Sequence, residues 1–278
     1  MKFEEFSAVE SLIDLAIEED LLNGDPSSEI SVRGDVPVSY QLILKEDAVL
    51  SGIDVAKYIF NKIDSNIKFT SLVSDGKSNQ GIIAKLVGHP KSVLKAERTA
   101  LNFLQRMSGV STSTASYVDL ISDLDIDLVD TRKTIPGWRI LDKYSVRVGG
   151  GVNHRLNLGG LIMLKDNHID GNNILDLVNR SKSKFPNLKI EVEVETYEQI
   201  DNVLVSGADI IMLDNWDYRD VRKAVKKIRN TNKNIIIEIS GGIDHSNVRD
   251  YALAMPDRIS IGAITHSAKA IDISMRVY

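Results

Sequence analysis

The sequence predicts a mixed α/β chain: a compact α+β domain first, then a β/α alternation of the kind that builds a parallel sheet or barrel. Three observations predict it. The amino-terminal third mixes helical and strand-like periodicities without a clean repeat. Beyond it, six short runs rich in Val and Ile recur with helical stretches among them. Each run ends in charged residues or glycine, where a barrel carries its chemistry.

The elements follow in order. Ser7 and Glu10 have capping-box spacing, and Leu12, Ile13, Ala16 and Ile17 recur at helical intervals. The breakers Asn23-Gly24-Asp25-Pro26 end that helix. Over residues 36–50, Tyr40, Leu42 and Leu44 alternate with Gln41 and Lys45, a strand pattern that Ile43 blurs. Residues 54–63 read as helix, with Val55, Ile59 and Ile63 one turn apart. Residues 81–87 read as strand, closed by Gly88-His89-Pro90. A long helix starts near Lys91 and carries Ala100, Phe103, Leu104, Met107 and Val110 on one face. The six runs are 126–129, 161–164, 190–194, 210–213, 235–239 and 259–261, with helices over 174–183, 197–205, 218–229 and 246–253. There is no low-complexity tract and no internal repeat.

Composition removes several function classes. At 278 residues, 43% hydrophobic and 26% charged, the chain is neither disordered nor collagenous nor a simple coiled coil. Its 34 basic and 39 acidic residues give a formal net charge of −5, which argues against a generally basic nucleic-acid binder. Cysteine is absent, which excludes disulfides, thiolate metal sites and a cysteine nucleophile. Met1-Lys2-Phe3-Glu4-Glu5 is unlike a secretory leader, and no apolar run approaches the ~20 residues of a membrane span. The expectation is a cytoplasmic protein with no membrane partner.

The run ends narrow the ligand. They read Asp130-Thr131-Arg132-Lys133-Thr134, Lys165-Asp166-Asn167-His168, Glu195, Asp214-Asn215, Ser240-Gly241-Gly242 and Gly262-Ala263-Ile264-Thr265-His266. Arg132, Lys133, Lys165, His154 and Arg155 form a cationic rim inside an acidic protein, which points to a small polyanion. Ser240-Gly241-Gly242 and Gly262-Ala263 read as phosphate cradles, because glycine lets backbone N–H groups approach an anion. Glu195 and Asp214 are candidates to hold Mg²⁺, accept ribose hydroxyls or balance a positive intermediate. In the segment Gly149-Gly150-Gly151-Val152-Asn153-His154-Arg155, His154 and Arg155 suit an anionic aromatic ring, with His154 giving a hydrogen bond or a proton. Trp138 reads as a loop anchor, and His89 and His245 as structural. Zinc is disfavoured, since His154, His168 and His266 lie in separate loops.

These motifs, with Glu97-Arg98-Thr99-Ala100-Leu101-Asn102-Phe103-Leu104-Gln105-Arg106, resemble the quinolinate phosphoribosyltransferase family. The resemblance runs over essentially the whole chain. It also includes Glu19-Asp20-Leu21, Lys45-Glu46-Asp47 and Glu238-Ile239-Ser240-Gly241-Gly242-Ile243. It implies an α/β sandwich domain over residues 1–108 and an incomplete β/α (TIM-like) barrel over 109–266, with residues 267–278 returning to the first domain. The implied reaction joins quinolinate to 5-phosphoribosyl 1-pyrophosphate, giving nicotinate mononucleotide, pyrophosphate and CO₂ with Mg²⁺. A homodimer with shared active sites is implied too.

By the same resemblance, Thr131, Arg132, Lys133, His154, Arg155 and Lys165 hold quinolinate, with Arg98 reaching in from a partner subunit. Lys133, Lys165, Glu195 and Asp214 are the implied catalytic residues, and Glu195 and Asp214 the implied metal contacts. Glu195, Asp214, Ser240, Gly241, Gly242, Gly262, Ala263 and His266 take the phosphoribosyl donor. Three rivals are a Schiff-base aldolase using Lys165 or Lys133, a molybdenum-utilisation protein of the same superfamily, and a non-catalytic anion binder. The intact Lys165-Asp166-Asn167-His168 run weighs against the second.

Overall fold

The computed structural model describes residues 3–34 and 36–278. Met1 and Lys2, part of the stretch read above for a leader, lie outside the described residues. In chain order the elements are α1 (Phe3–Leu21), α2 (Pro26–Ser31), β1 (Val38–Val49), α3 (Ile53–Ile63), β2 (Lys68–Ser71), β3 (Ser78–Gly88) and α4 (Pro90–Leu120). There follow β4 (Asp127–Val129), α5 (Arg139–Val148), β5 (Ile162–Leu164), α6 (Asp166–Ile169), α7 (Ile174–Lys184), β6 (Ile190–Val194) and α8 (Tyr197–Ser206). The last are β7 (Ile210–Asp214), α9 (Tyr218–Thr231), β8 (Ile236–Ser240), α10 (Val248–Ala252), β9 (Arg258–Ser260), α11 (Ala263–His266) and β10 (Ile273–Val277). They fall into two compact units. The first takes the chain up to Ala115, then Thr134–Gly150 and Ile264–Tyr278; the second takes Ser116–Lys133 and Gly151–Ala263.

The first unit is built on an antiparallel sheet in the order β10-β1-β3-β2. Its alternation is the one the sequence predicts: Tyr40, Leu42 and Leu44 are buried, while Gln41 and Ile43 are half-buried. Tyr40 stands opposite Val277 on one side and Leu86 on the other. The buried face packs with Ile59 and Phe60 of α3 and with Ala100, Phe103, Leu104 and Met107 of α4. Gly52 opens α3 at φ +98°, and a Cβ there would meet Met107 Sδ at 2.6 Å. The Asp75 carboxylate accepts from the Gly52 and Ile53 amides at 2.8 and 3.0 Å, satisfying donors that a helix start leaves over. Trp138 precedes α5 and stacks on Phe103 with ring centroids 4.7 Å apart.

Four local differences from the sequence reading have physical causes. Helix α1 already begins at Phe3, so Ser7 and Glu10 lie inside it rather than capping it. Asp25-Pro26 starts a helix as well as ending one: Asp25 accepts from the Ser28 amide and Pro26 takes the first turn, where its missing N–H costs nothing. Helix α5 is amphipathic, but its buried positions mix Asp142, Lys143 and Ser145 with Leu141 and Val146. Strand β2 is short and solvent-facing, so its alternation carries little signal.

In the second unit six parallel strands follow the order β4-β9-β8-β7-β6-β5. This is the order of a β/α barrel left open between its first two strands, β4 and β5. A single parallel bridge, Val129 to Val152, lies beside β4 at that opening. Helices α7, α8 and α9 start with side-chain caps from Asn173, Thr196 and Asp217, and α8 also has Gln199 reaching back to complete a capping box. Val221, Ala224, Val225 and Ile228 form the buried stripe of α9.

The carboxyl-terminal strand is tied down by α4. Gln105 Nε2 donates to the Ile273 carbonyl at 2.8 Å, and Arg106 donates to the Ala268 carbonyl at 3.0 Å and to that of Thr265. A Cβ on Gly109 would stand 2.2 Å from the Lys269 carbonyl oxygen. Gly109→Ala should therefore cost roughly 1–3 kcal/mol of stability through overpacking against rigid backbone. Urea denaturation checks it; an unchanged midpoint would mean that residues 268–270 are not seated on α4.

Candidate functional site

The β-strand period places the site. Along β6, Ile190, Val192 and Val194 share one face and Glu191 and Glu193 the other. The register carries the second face across the sheet: Met163 pairs with Glu191, Glu193 with Met212, Met212 with Glu238, and Glu238 with Arg258. One layer further along the strands, Asp214 pairs with Ser240. The strands are buried on both faces, as the apolar runs predict, but one of those faces is polar.

A cavity of about 340 Å³ opens on this face. It is lined by Thr131, Arg132, Lys133, His154, Arg155, Lys165, Asp214 and Ser240, together with Asp130, Met163, Met212, Glu238 and Ser260. Eight of the residues singled out in the sequence thus meet at one place. The others lie elsewhere. Glu195 is exposed beyond β6, with its amide donating to Gln199 Oε1 at 2.7 Å. Gly241 and Gly242 follow β8 at φ +89° and +62°, and Gly262 and Ala263 follow β9, outside the lining. Arg98, on α4, and His266, whose Nδ1 is 2.6 Å from Ser267 Oγ, belong to the first unit.

Asp130 anchors the rim. It is fully buried at the end of β4. Its Oδ1 accepts from the His154 amide at 2.8 Å and its Oδ2 from Asn153 Nδ2 at 2.7 Å. The segment carrying His154 and Arg155 is thereby pinned to the strand that leads into Arg132 and Lys133. Arg155 donates to the Leu161 carbonyl at 2.9 Å. Burial lowers its pKa, and the charge of Arg132 lowers it further. Lys165 forms an ion pair with Glu193, whose carboxyl is raised by burial although Lys165 opposes the shift. Asp214 Oδ2 accepts from Asn215 Nδ2 at 2.7 Å.

Beneath the cavity lies a buried ionic cluster. His154 Nε2 is 3.1 Å from Glu191 Oε2 and 3.3 Å from Glu238 Oε2. Arg258 Nη2 is 3.2 Å from Glu191 Oε2, and its Nε pairs with Glu238. Both glutamates are wholly buried. Burial pushes the Glu191 carboxyl up. Burial works the same way on Glu238, but His154 and Arg258 outweigh it and hold that carboxyl low. On His154, burial disfavours the charge and the two carboxylates favour it, raising the imidazole to about 9. The Arg155 amide works against that protonation, because it donates to Nδ1 at 2.8 Å and needs a bare nitrogen. His154, Glu191 and Glu238 offer ligand atoms within 4.8 Å of one another, but Arg258 already supplies the cation they need.

Glu191, Glu193 and Glu238 stand on the cavity face, and the sequence reading gives none of them a role. The signal was present: in Ile190-Glu191-Val192-Glu193-Val194 the alternation is strict, so both glutamates share a face. Reading the runs as uniformly apolar hid it. His245, by contrast, is structural as read, with Nε2 2.8 Å from Ser116 Oγ and its ring against Tyr117.

Comparison with known proteins gives a consistent set of likenesses. The model described as quinolinate phosphoribosyl transferase, N-terminal domain, matches residues 25–108, and its C-terminal counterpart matches 110–276. The chain is 35% identical to the nicotinate-nucleotide pyrophosphorylase (carboxylating) of Mycobacterium leprae, over 98% of each chain. It is 38% identical to a probable enzyme of that name from Bacillus subtilis, covering 93% of this chain and 90% of the relative. The solved nicotinate-nucleotide pyrophosphorylase of Francisella tularensis superposes with a TM-score of 0.93 at 38% identity, covering 98% of this chain and 96% of the other.

The turn after β8 yields a test of local geometry. A Cβ on Gly241 would meet Asn215 Oδ1 at 2.2 Å and its backbone nitrogen at 2.6 Å, whereas one on Gly242 meets open space. Both glycines have positive φ, which costs an alanine about 1–2 kcal/mol. Gly242→Ala should lose about that much stability, and Gly241→Ala about 1–3 kcal/mol more from the clash. Urea unfolding of the two variants decides it; equal losses would refute the close approach to Asn215.

Proposed function

The chain belongs to the quinolinate phosphoribosyl transferase family, and we propose that it transfers the phosphoribosyl group of 5-phosphoribosyl 1-pyrophosphate to quinolinate. The products are nicotinate mononucleotide, pyrophosphate and CO₂. One observation carries the reading: Arg132, Lys133, Arg155 and Lys165 line a single cavity of about 340 Å³. That density of cations suits a ligand with several negative charges, and quinolinate carries two carboxylates on one ring.

Arg132 and Arg155 present planar forks to the carboxylates, and Lys165 and Lys133 add point charges. Thr131 orients the turn by accepting the Lys133 amide on Oγ1 at 3.0 Å. The donor takes Asp214, Ser240 and the Gly241-Gly242 turn, with Gly262 and Ala263 on the phosphate side. As pyrophosphate leaves, positive charge grows on the ribose, and the fixed carboxylate of Asp214 favours it. The ring nitrogen bonds to the anomeric carbon and becomes quaternary. Loss of the adjacent carboxylate as CO₂ leaves its bonding pair on the ring carbon, as an ylide that the neighbouring positive nitrogen stabilises, and a proton from water then takes the carboxylate's place at that carbon. Alignment and charge placement, rather than a covalent enzyme intermediate, supply the acceleration.

Asp214 fits a hard cation. Its carboxylate faces the cavity with one oxygen oriented by Asn215, and Mg²⁺ arriving with phosphates needs only one or two such ligands. Mg²⁺, when bound, neutralises the pyrophosphate leaving group. Glu195, exposed and off the cavity lining, is the weaker of the two expected contacts. The family resemblance supports a homodimer in which Arg98 of the partner subunit completes the quinolinate site. Among the described residues no helix is long and apolar enough to cross a membrane, and we place the enzyme in the cytoplasm.

Carboxyl-labelled quinolinate should release labelled CO₂ only when the phosphoribosyl donor is present. Donor-independent release, or none at all, would overturn the reading. Arg132→Ala removes one partner of a bound carboxylate, a loss of roughly 2–5 kcal/mol. That corresponds to about 30- to several-thousand-fold in kcat/KM for quinolinate. Wild-type efficiency in this variant would remove Arg132 from the binding contacts.

A further inference from the structure

We infer that Glu191, Glu238 and Arg258 act as one positioning unit for His154, holding its ring in the neutral Nε2–H form so that Nδ1 accepts the Arg155 amide and fixes that residue at the cavity. None of the three was expected from the sequence, and only Glu238 reaches the cavity lining.

A backbone N–H is a donor and nothing else. The Arg155 amide lies 2.8 Å from His154 Nδ1, so that nitrogen is an acceptor and carries no proton. The one proton of a neutral imidazole then sits on Nε2. Two acceptors and one donor meet it there: Glu191 Oε2 at 3.1 Å, Glu238 Oε2 at 3.3 Å and Arg258 Nη2 at 3.3 Å, and the two carboxylates decide in favour of the proton. The opposite tautomer would set the Nδ1 proton against the Arg155 amide at 2.8 Å and leave Nε2 accepting from Arg258 Nη2 at 3.3 Å, with both carboxylates deprived of their ring donor. An imidazolium would create the same donor–donor conflict at Nδ1.

Arg258 makes the arrangement tolerable. Two wholly buried carboxylates side by side repel, and each needs a counter-charge. Arg258 contacts both, from β9, while Glu191 stands on β6 and Glu238 on β8. On the fourth side Asp130 holds the His154 amide. The groups around the ring thus come from four separate segments, which leaves it one orientation. Both ring nitrogens are engaged, so His154 has none left to give a proton to a substrate. Its contribution passes to Arg155, whose amide it holds.

The inference rests on the quinolinate reading for its kinetic consequences but not for the tautomer, and the experiment separates them. In substrate-free enzyme labelled with ¹⁵N-histidine, the His154 resonances are assigned by their loss in His154→Gln. A bare, pyridine-like Nδ1 and a protonated Nε2 at neutral pH are expected. An Nδ1–H ring or an imidazolium would overturn the inference even in a fully active enzyme. A correct tautomer in an enzyme inactive on quinolinate would instead overturn the substrate assignment.

The second measurement is kinetic. Glu238→Gln and Arg258→Met should raise the quinolinate KM by about 5- to 150-fold, the range for leaving one buried polar group without its partner. The KM for the phosphoribosyl donor should stay near wild type, and Arg258→Lys should recover part of the loss. Equal increases in both KM values, or no rescue by lysine, would reduce the cluster to a general structural role. Should Arg258→Met fail to fold, the wild-type spectrum and the lysine variant still decide.

Discussion

Cations crowded around one cavity repel each other, and the chain accepts that crowding because acids stand directly behind them. Glu193 pairs with Lys165, Asp130 holds the backbone of His154, and Glu191 and Glu238 sit one layer deeper with Arg258. A buried charge without a partner costs several kcal/mol, and removing one member of a buried pair leaves the other stranded. The cavity therefore mixes the two signs: Arg132, Lys133, Arg155 and Lys165 share its lining with Asp130, Asp214 and Glu238. The acids beneath are committed to Lys165, His154 and Arg258.

The alternation of β6 makes this possible with very little sequence. Three aliphatic residues go to the face covered by helices, and two glutamates go to the cavity face. Parallel pairing then repeats the choice on β7, β8 and β9, so that Met212, Glu238 and Arg258 fall into line without any local signal of their own. Side chains far apart in the chain become neighbours because the register is shared, and slipping any one strand by a residue would turn its acids into the aliphatic layer.

That explains what could be read beforehand. The β/α alternation was plain from the runs of Val and Ile, and the residues just past the strands were plain from their charge. Arg132, Lys133, Lys165 and Asp214 declare themselves in this way, and Arg155 by following His154 after the glycine triplet. Glu191, Glu193 and Glu238 do not, because an acid inside an apolar run looks like a blemish until the partner strand supplies its counter-charge. Glu195 shows the converse: it stands at a strand end and is exposed, while Glu193 two positions earlier meets Lys165. Helix α5 has a mixed inner face, with Asp142 and Lys143 buried beside Leu141 and Val146.

Strand β10 lies between solvent and β1, joined to it from Tyr40–Val277 to Leu44–Ile273. During synthesis, β1 emerges from the ribosome more than two hundred residues before its neighbour exists. At about 5–20 residues per second that interval lasts on the order of ten seconds or more. For that time β1 is an unpaired edge, open to pairing with another nascent chain. The α/β alternation of the second unit, by contrast, is contiguous from Gly151 to Ala263 and can close as it is made. The order of translation thus exposes the first unit longest, and a truncation that removes Ile273–Val277 would make its open edge permanent.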